Sequence, residues 1–552
     1  MRGLFASVAP VTTGAGSLTP GAPRWRGRSL PWVAVGALAM VAALPVAAHA
    51  EPAPPPELLL NVAIGPAPTL RSFAAYVEAV KPGSGVAISE PFVRAGLASA
   101  AGVSSLDGFD PASWTYLLVA SVEGTPAIAV VSKVRDAKQL TANVSAGAST
   151  MQLKGGWAIV GPKPVVDLVD AWALAALPAQ RAPSAMNATV YVPNVLAAYK
   201  AQIEQARANM VALMSGPSIG TMGPMMTSYV DGILSGIADT EKAVITLETT
   251  AELASLDLAL FPRAGTRLAK FVSMQRPSNY ALLDRLPEMS AAMIFGGHLE
   301  LGPFRQGMLE MTAKLYGPAD TQEMLAGLEA VAKVATGEMA MATRFSPGAG
   351  MSFTQLFGVS DTAAADRAFA ALFALFGDGK VFEAMGIGTK IKVNPGTVTH
   401  NGVAMRSYEA SYDLSKVPAA DRKAMEAVVP KTAIGGHVAA FDHLGLVALA
   451  PNSQVEAERA VDAARGKAPH FTAPAVAGQM LASSRARKDS MAAVLDIGAI
   501  LSAIPTMPGA PPRAPIGPIV FVLSFGCADR HAHFRIAAPA SSARTAVNAA
   551  KP

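Results

Sequence analysis

Apolar positions along this chain switch between two periods. Stretches that are apolar at nearly every position, or at every second one, read as strands; they alternate with stretches whose apolar side chains recur every three to four residues, which read as helices. Four strands, 58–64, 188–192, 291–295 and 491–497, each run directly into such a helix. The apolar faces of the first three helices are Leu70, Phe73, Ala74 and Val77; Leu196, Tyr199, Ile203 and Ala206; and Phe304, Met308, Met311 and Leu315. That spacing puts each set on one side of its helix, ready to cover a sheet.

Hairpins follow at matching places. Residues 116–122 turn through Glu123-Gly124-Thr125-Pro126 into 127–134, residues 339–345 through Ser346-Pro347-Gly348 into 351–359, and residues 519–527 near Asp529 into 531–536. Residues 243–249 and 253–261 make the corresponding pair in the second stretch. Gly and Pro supply the turn dihedrals, and the β-branched, Leu and Phe positions suit a half-buried pleat. One order of elements, strand, amphipathic helix, hairpin and second helix, therefore recurs four times. It divides the chain into units at 58–180, 187–275 and 280–466, an abbreviated unit at 480–538, and a flexible tail at 539–552. The predicted class is α+β, with mostly antiparallel sheets covered by helices on one face.

Matching is closest between the first and third units. Val131-Ser132-Lys133-Val134-Arg135-Asp136 corresponds to Leu356-Phe357-Gly358-Val359-Ser360-Asp361, a strand leading through a charged turn into a helix. Two strands closed by proline, Gly156 to Pro162 and Leu444 to Pro451, each lead into an Ala/Val-rich helix. With the hairpin strand 127–134 and the leucine-proline entry Leu282-Leu283-Asp284-Arg285-Leu286-Pro287, this arrangement resembles exported bacterial proteins that carry a duplicated domain of unknown function. The resemblance implies export and duplication, and it brings no catalytic residues with it.

Composition changes the picture mainly at the N-terminus. Arg2, Arg24, Arg26 and Arg28 stand among no acidic residues, an apolar stretch follows at 33–44, and Ala48-His49-Ala50 supplies a small-x-small processing site. The reading is a signal peptide over 1–50, cleaved before a proline-rich leader at 51–57, and a mature chain that is periplasmic or secreted. No cysteine marks the processing site for lipid attachment, and no twin arginine is present. Losing the four arginines lowers the formal charge from +5 to +1, so the basic balance belongs to the leader and a nucleic-acid partner has no electrostatic footing. Hydrophobic residues make up 51% of the chain, yet no later run approaches the ~18 residues of a membrane span. Cys527 is the single cysteine, which excludes an intramolecular disulfide.

Three places carry candidate chemistry. Gly216-Pro217-Ser218-Ile219-Gly220 has the spacing of a nucleophile elbow, but it follows a helical stretch instead of a strand, so a serine hydrolase using Ser218 is the alternative reading only. Met210, Met214, Met222, Met225 and Met226 fall in an apolar loop between two helices, where they fill a core, present an adaptable apolar surface, or bind Cu(I). Cys527, Asp529, His531 and His533 alternate, which on one continuous strand would bring them to one face as metal ligands; a turn near Asp529 splits the set. No cofactor motif is present, and no carboxylate pair can be nominated for acid–base work. The sequence thus predicts an exported, non-enzymatic envelope protein with a binding or structural role. Its partner would be an apolar ligand, a peptide or an envelope protein, with metal handling through Cys527, His531 and His533 or through the methionines as the further alternative.

Overall fold

The computed structural model describes residues 53–145, 149–180, 185–214, 222–289, 291–300, 326–327, 329–346, 350–377, 388–413, 434–473, 475–503, 516–528 and 530–549. The expected signal peptide, Ser218 and the helix containing Phe304 lie outside these residues. The strands are β1 Leu58–Ile64, β2 Thr115–Val122, β3 Thr125–Lys133, β4 Ser149–Lys154, β5 Trp157–Pro162, β6 Met186–Tyr191, β7 Thr240–Thr249, β8 Leu253–Pro262 and β9 Met293–His298. They continue as β10 Ala335–Ser346, β11 Gly350–Val359, β12 Gly388–His400, β13 Val403–Asp413, β14 Ile434–Phe441, β15 Leu444–Ala450, β16 Met491–Asp496, β17 Val520–Ala528 and β18 His531–Pro539.

Backbone pairing joins all of them into one antiparallel sheet. Its order is β4-β5-β3-β2-β1-β6-β7-β8-β18-β17-β16-β9-β10-β11-β15-β14-β13-β12. The turns explain why neighbouring strands pair so tightly. Glu123-Gly124, Asn401-Gly402 and Asp442-His443 have positive φ at both residues, the conformation whose twist matches a two-residue hairpin. The β2 turn is therefore two residues long, and Thr125 and Pro126 already belong to β3.

Helices lie over the sheet where alternate strand residues are apolar. Tyr116, Leu118 and Ala120 on β2, Ala129 and Val131 on β3 and Ile159 on β5 form one buried cluster with Val165, Val166, Val169 and Trp172 of the helix Lys163–Ala179. On the other half, Ala340, Leu356, Leu446 and Ala448 meet Ala457, Ala460 and Val461 of the helix Ser453–Ala464, whose small residues let the helix settle close to the strands. Burying one such Val or Leu side chain contributes about 1.5–3 kcal/mol relative to exposure.

Three features differ from the sequence reading. Helices do not stay on one face: at β17, Phe525 stacks on Phe271 of the helix Arg267–Met274, while Val522, on the opposite parity, clusters with Met480 of the helix Ala475–Ala486. A central strand that is apolar at both parities has to be covered twice. The segment expected as a flexible tail forms the helix Ala540–Ala549, where Ser542 Oγ accepts from the Val520 amide at 3.0 Å and Ala540 and Ser542 are buried. The hairpin β12–β13 at the sheet edge was not anticipated at all, although Asn401-Gly402 is a strong hairpin signal. No helix among the described residues is long and apolar enough to cross a membrane.

Gly297 sits between two paired strands, with β10 on one side and β16 on the other, and φ at +149°. An added Cβ would run into the Ser490 carbonyl and the Met491 Cα, neither of which can swing away. Gly297→Ala is expected to cost roughly 2–4 kcal/mol from backbone strain and overpacking together. A urea titration checks it through a lower midpoint at unchanged slope.

Candidate functional site

The seam between β8 and β18 carries the polar chemistry of the sheet interior. Eight residue pairs run from Ala532 opposite Leu260 to Pro539 opposite Leu253. Directly opposite residues share a face, so the register lays side chains out in rows. Thr246, Asp257, Arg535 and Ser524 form one row across β7, β8, β18 and β17. Ala259, His533 and Gly526 form the next row, and Glu248, Ser255, Ala537 and Val522 the row on the other side.

Asp489, in the loop between the helix Ala475–Ala486 and β16, is fully buried against this surface. One of its oxygens accepts from His533 Nε2 at 2.9 Å and the other from Arg487 at 2.7 Å. Its carbonyl accepts from the Tyr280 hydroxyl at 3.1 Å and from the Ser278 amide at 3.1 Å. Arg487 in turn donates to Ser483 at 2.7 Å, Ser484 at 3.1 Å and Ser524 at 3.3 Å. His533 can reach Asp489 only because Gly526 stands opposite it: a Cβ there would strike the imidazole ring. Arg535 donates to Glu248 and, at 2.7 Å, to Ser255, with Asp257 3.9 Å away.

The two acids of this surface respond oppositely. Burial works against the charge of Asp489, but the His533 hydrogen bond, the Arg487 guanidinium and Ser524 outweigh it and hold the carboxyl below the usual range. For Asp257, burial dominates over the attraction of His533, Arg535 and Arg487, and its carboxyl is pushed up.

Above the Arg535 and Ala537 rows opens a cleft of about 460 Å³. Its floor is Leu253, Ser255, Val522, Ser524, Arg535, Ala537 and Pro539. One wall is the helix Ala475–Ala486 with its extension to Arg487, contributing Gln479, Met480, Ser483 and Ser484; the other is the start of the helix Ala540–Ala549, with Ser541 and Arg544. Ala79, near the end of the helix Ala67–Val80, and Glu252, in the β7–β8 turn, complete the rim. The volume lies within the range of small-molecule sites, and the lining combines apolar with hydrogen-bonding groups as such sites require.

Residues nominated from the sequence are placed elsewhere or divided. Cys527 stands opposite Ala532, whereas His531 and His533 stand opposite Ala528 and Gly526, so the thiol and the two imidazoles occupy opposite faces of the hairpin. Cys527 packs with Phe271 and Phe525, and burial pushes its thiol up to about 12. The set therefore does not converge on a metal, and among the described residues no three His, Cys, Asp or Glu groups do. His533 does reach the candidate site, through Asp489 and not through cysteine.

The methionines are not in a loop. Met210 and Met214 belong to the helix Lys200–Met214, and Met222, Met225 and Met226 to the helix Met222–Ala238; the connection between the helices lies outside the described residues. Arg207 clamps the two helices through a two-pronged contact with Asp231 at 2.7 and 3.1 Å. Met210, Ile233 and Ile237 are exposed on this pair. Arg487, Asp489 and Arg535 were missed by the sequence reading because a charge pair in a loop and a lone arginine on a distant strand carry no spacing signal that joins them.

No protein-family model matches this chain, and no curated protein does. A solved structure titled "Structure of crystal form III of TP0453" is similar over 49% of this chain and 98% of its own, at 10% identity and a TM-score of 0.24, a level that transfers neither fold nor function.

Substitutions at the two acids should separate. Asp489→Asn leaves Arg487 and His533 without their buried counter-charge and is expected to cost about 2–4 kcal/mol at neutral pH. Because the folded-state carboxyl is depressed, its contribution is present above the unfolded value of 3.8 and is lost as pH falls through the folded value; the gap between wild type and variant should close below pH 3.8. Asp257 is raised, so its sign reverses: wild type gains stability as pH falls from its folded value toward 3.8, and Asp257→Asn should abolish that gain. Urea midpoints measured across acid and neutral pH test both.

Proposed function

We propose that this chain is an exported, non-enzymatic binding protein built from a duplicated unit, with its ligand site in the cleft over the β8–β18 seam. The cleft is the observation that carries the reading. It combines hydroxyls from four different elements, guanidinium groups and an apolar floor in about 460 Å³. Two of its three guanidinium groups are engaged by acids, Arg487 by Asp489 and Arg535 by Glu248, which suits holding a ligand better than moving protons.

Duplication is supported by strand order. The run β4-β5-β3-β2-β1-β6-β7-β8 corresponds, strand for strand, to β14-β15-β11-β10-β9-β16-β17-β18, with the hairpin β12–β13 added beyond β14. The long units at 58–180 and 280–466 each supply five of the matched strands, and the shorter units supply three. Export rests on the arginine-bearing leader, its apolar stretch and the processing site at Ala48-His49-Ala50. The exposed apolar side chains of Met210, Ile233 and Ile237 give the same exported chain a second surface for an envelope partner.

Native mass spectrometry of the protein purified from the envelope fraction of its own host tests the reading. The expected result is a chain beginning at Glu51 that carries a small molecule released on denaturation. Ala251→Trp, at the exposed rim of the cleft, should fold normally and lose the added mass. A wild-type chain that emerges intact and bare would overturn both export and the ligand site.

A further inference from the structure

We infer that the ligand of the seam cleft is an anionic amphiphile, a carboxylate or a phosphate ester on an apolar body, whose acid group is held at the rim by Arg544. The inference rests on the cleft being a ligand site and adds the chemistry of what enters it.

Polarity along the cleft floor is graded by the strand register. On β18 the floor residues run Arg535, Ala537, Pro539; on β17 they run Ser524, Val522; on β8 the partners are Ser255 and then Leu253. The helix wall repeats the gradient, from Arg487 through Ser484 and Ser483 to Met480. Arg487 bonds Ser524, which anchors the polar end of the wall to the polar end of the floor. Met480 clusters with Val522 and Ala537 at the other end. An apolar strip two strand residues long, about 7 Å, thus lies between Arg535 and the rim helix. A fully polar ligand would leave Leu253, Met480, Val522, Ala537 and Pro539 facing groups that gain nothing from them. A purely apolar one would strip water from the serines and guanidinium groups without replacing it.

Charge at the rim selects the sign of the head group. Arg487 and Arg535 have acid partners in Asp489 and Glu248. Arg544 has none among the described residues: its Nε donates to the Ala79 carbonyl at 2.7 Å and a terminal nitrogen donates to the same oxygen. That carbonyl belongs to the last turn of the helix Ala67–Val80, where helical carbonyls lack intrahelical donors and favour a cation. The contact fixes the guanidinium in place while leaving three of its five donors for a ligand. Ser541 lines the cleft one turn before it on the same helix. The carboxylate on the lining, Glu252, sits in the exposed β7–β8 turn. Of the three guanidinium groups on the lining, Arg487 and Arg535 are matched by Asp489 and Glu248, which leaves Arg544 as the cation without an acid partner among the described residues.

Calorimetric titration of the purified full-length mature chain with decanoate, decyl phosphate and decanol tests the inference, because the three probes share a chain and differ in the head. Decanoate and decyl phosphate are expected to bind at least about tenfold tighter than decanol, the scale of one charge-assisted hydrogen bond in a partly dry site. Arg544→Gln should bring the acids down to the level of decanol, and Arg544→Lys should retain most of the preference. Both variants are expected to unfold at nearly the wild-type urea midpoint, since the side chain is exposed.

Decanol binding as tightly as the acids would overturn the anionic head group while leaving the cleft as a ligand site. Binding of none of the three would overturn the inference, and the native mass of the host-purified protein decides the ligand site separately. Incubation with vesicles of phosphatidylglycerol and phosphatidylethanolamine, followed by extraction, identifies the source. Retained phosphatidylglycerol assigns the head group to a membrane lipid, and no retention alongside decanoate binding assigns it to a free acid; either supports the inference. Retained phosphatidylethanolamine alone would overturn it.

Discussion

The antiparallel ladder between β8 and β18 is the constraint on which the rest of this structure depends. It joins residues 253–260 to residues 532–539, across about half the chain, so its closure is an entropic cost that local hairpins do not carry. Without it, both strands would be edges, each offering a row of unpaired amides and carbonyls to any other strand. With it, the strands on either side become one continuous sheet, and the cleft acquires a floor whose two sides come from the middle of the sequence and from near its C-terminus. The helix Ala540–Ala549, which follows β18 directly, can then reach the helix Ala67–Val80 through Arg544, while the Tyr76 hydroxyl of that helix donates to the Ala538 carbonyl of β18 at 3.2 Å.

A buried carboxylate sets the second condition. Asp489 has no exposure, and a charge so placed is tolerated only when its oxygens are occupied by charged or strongly polar donors. His533 and Arg487 provide them, and Arg487 spreads its charge over three serines. The arrangement ties together the loop before β16, the hairpin β17–β18 and the Tyr280 loop, whose hydroxyl and amides read the backbone next to Asp489. Such a network contributes more to choosing one arrangement than to raising stability, because an apolar cluster of equal volume would avoid the desolvation cost altogether. Asp257 shows the cost uncompensated. It stands across from Arg535 at 3.9 Å, with no hydrogen-bond donor to its side chain among the described residues, and its charged form is disfavoured.

Much of the fold was legible in the sequence because it is written locally. The strand at 58–64 and the helix behind Leu70, Phe73 and Val77 follow from runs of one period, and Glu123-Gly124 places its hairpin to within two residues. What was not legible lies at long range. Nothing near Leu253 announces that its partner is Pro539, and the Ala-rich tail gains its helix by packing small residues against elements far away in sequence. The site was legible only in fragments. His533 was singled out for the wrong partner, since alternation along one strand cannot reveal that a hairpin turns Cys527 to the other face. Asp489 and Arg487 gave no signal, because a carboxylate acquires chemical character here from three elements that meet only in the folded chain.

Charge also explains why the seam forms between these two strands and not between two copies of either. The acids come from one side: Asp257 on β8 and Glu248 on its hairpin partner β7. The bases come from the other: Arg535 and His533, both on β18. Pairing β18 with a second β18 would set guanidinium and imidazole groups beside their own kind, and pairing β8 with itself would do the same to carboxylates; like charges across a ladder destabilise it. Only the mixed pairing lets Arg535 reach Glu248 and Ser255 together. β8 and β18 close the two matched runs of strands and meet at the join, and backbone pairing alone cannot distinguish self from partner. A one-sided distribution of acids and bases makes that distinction, and it leaves polar side chains on the face where the cleft opens.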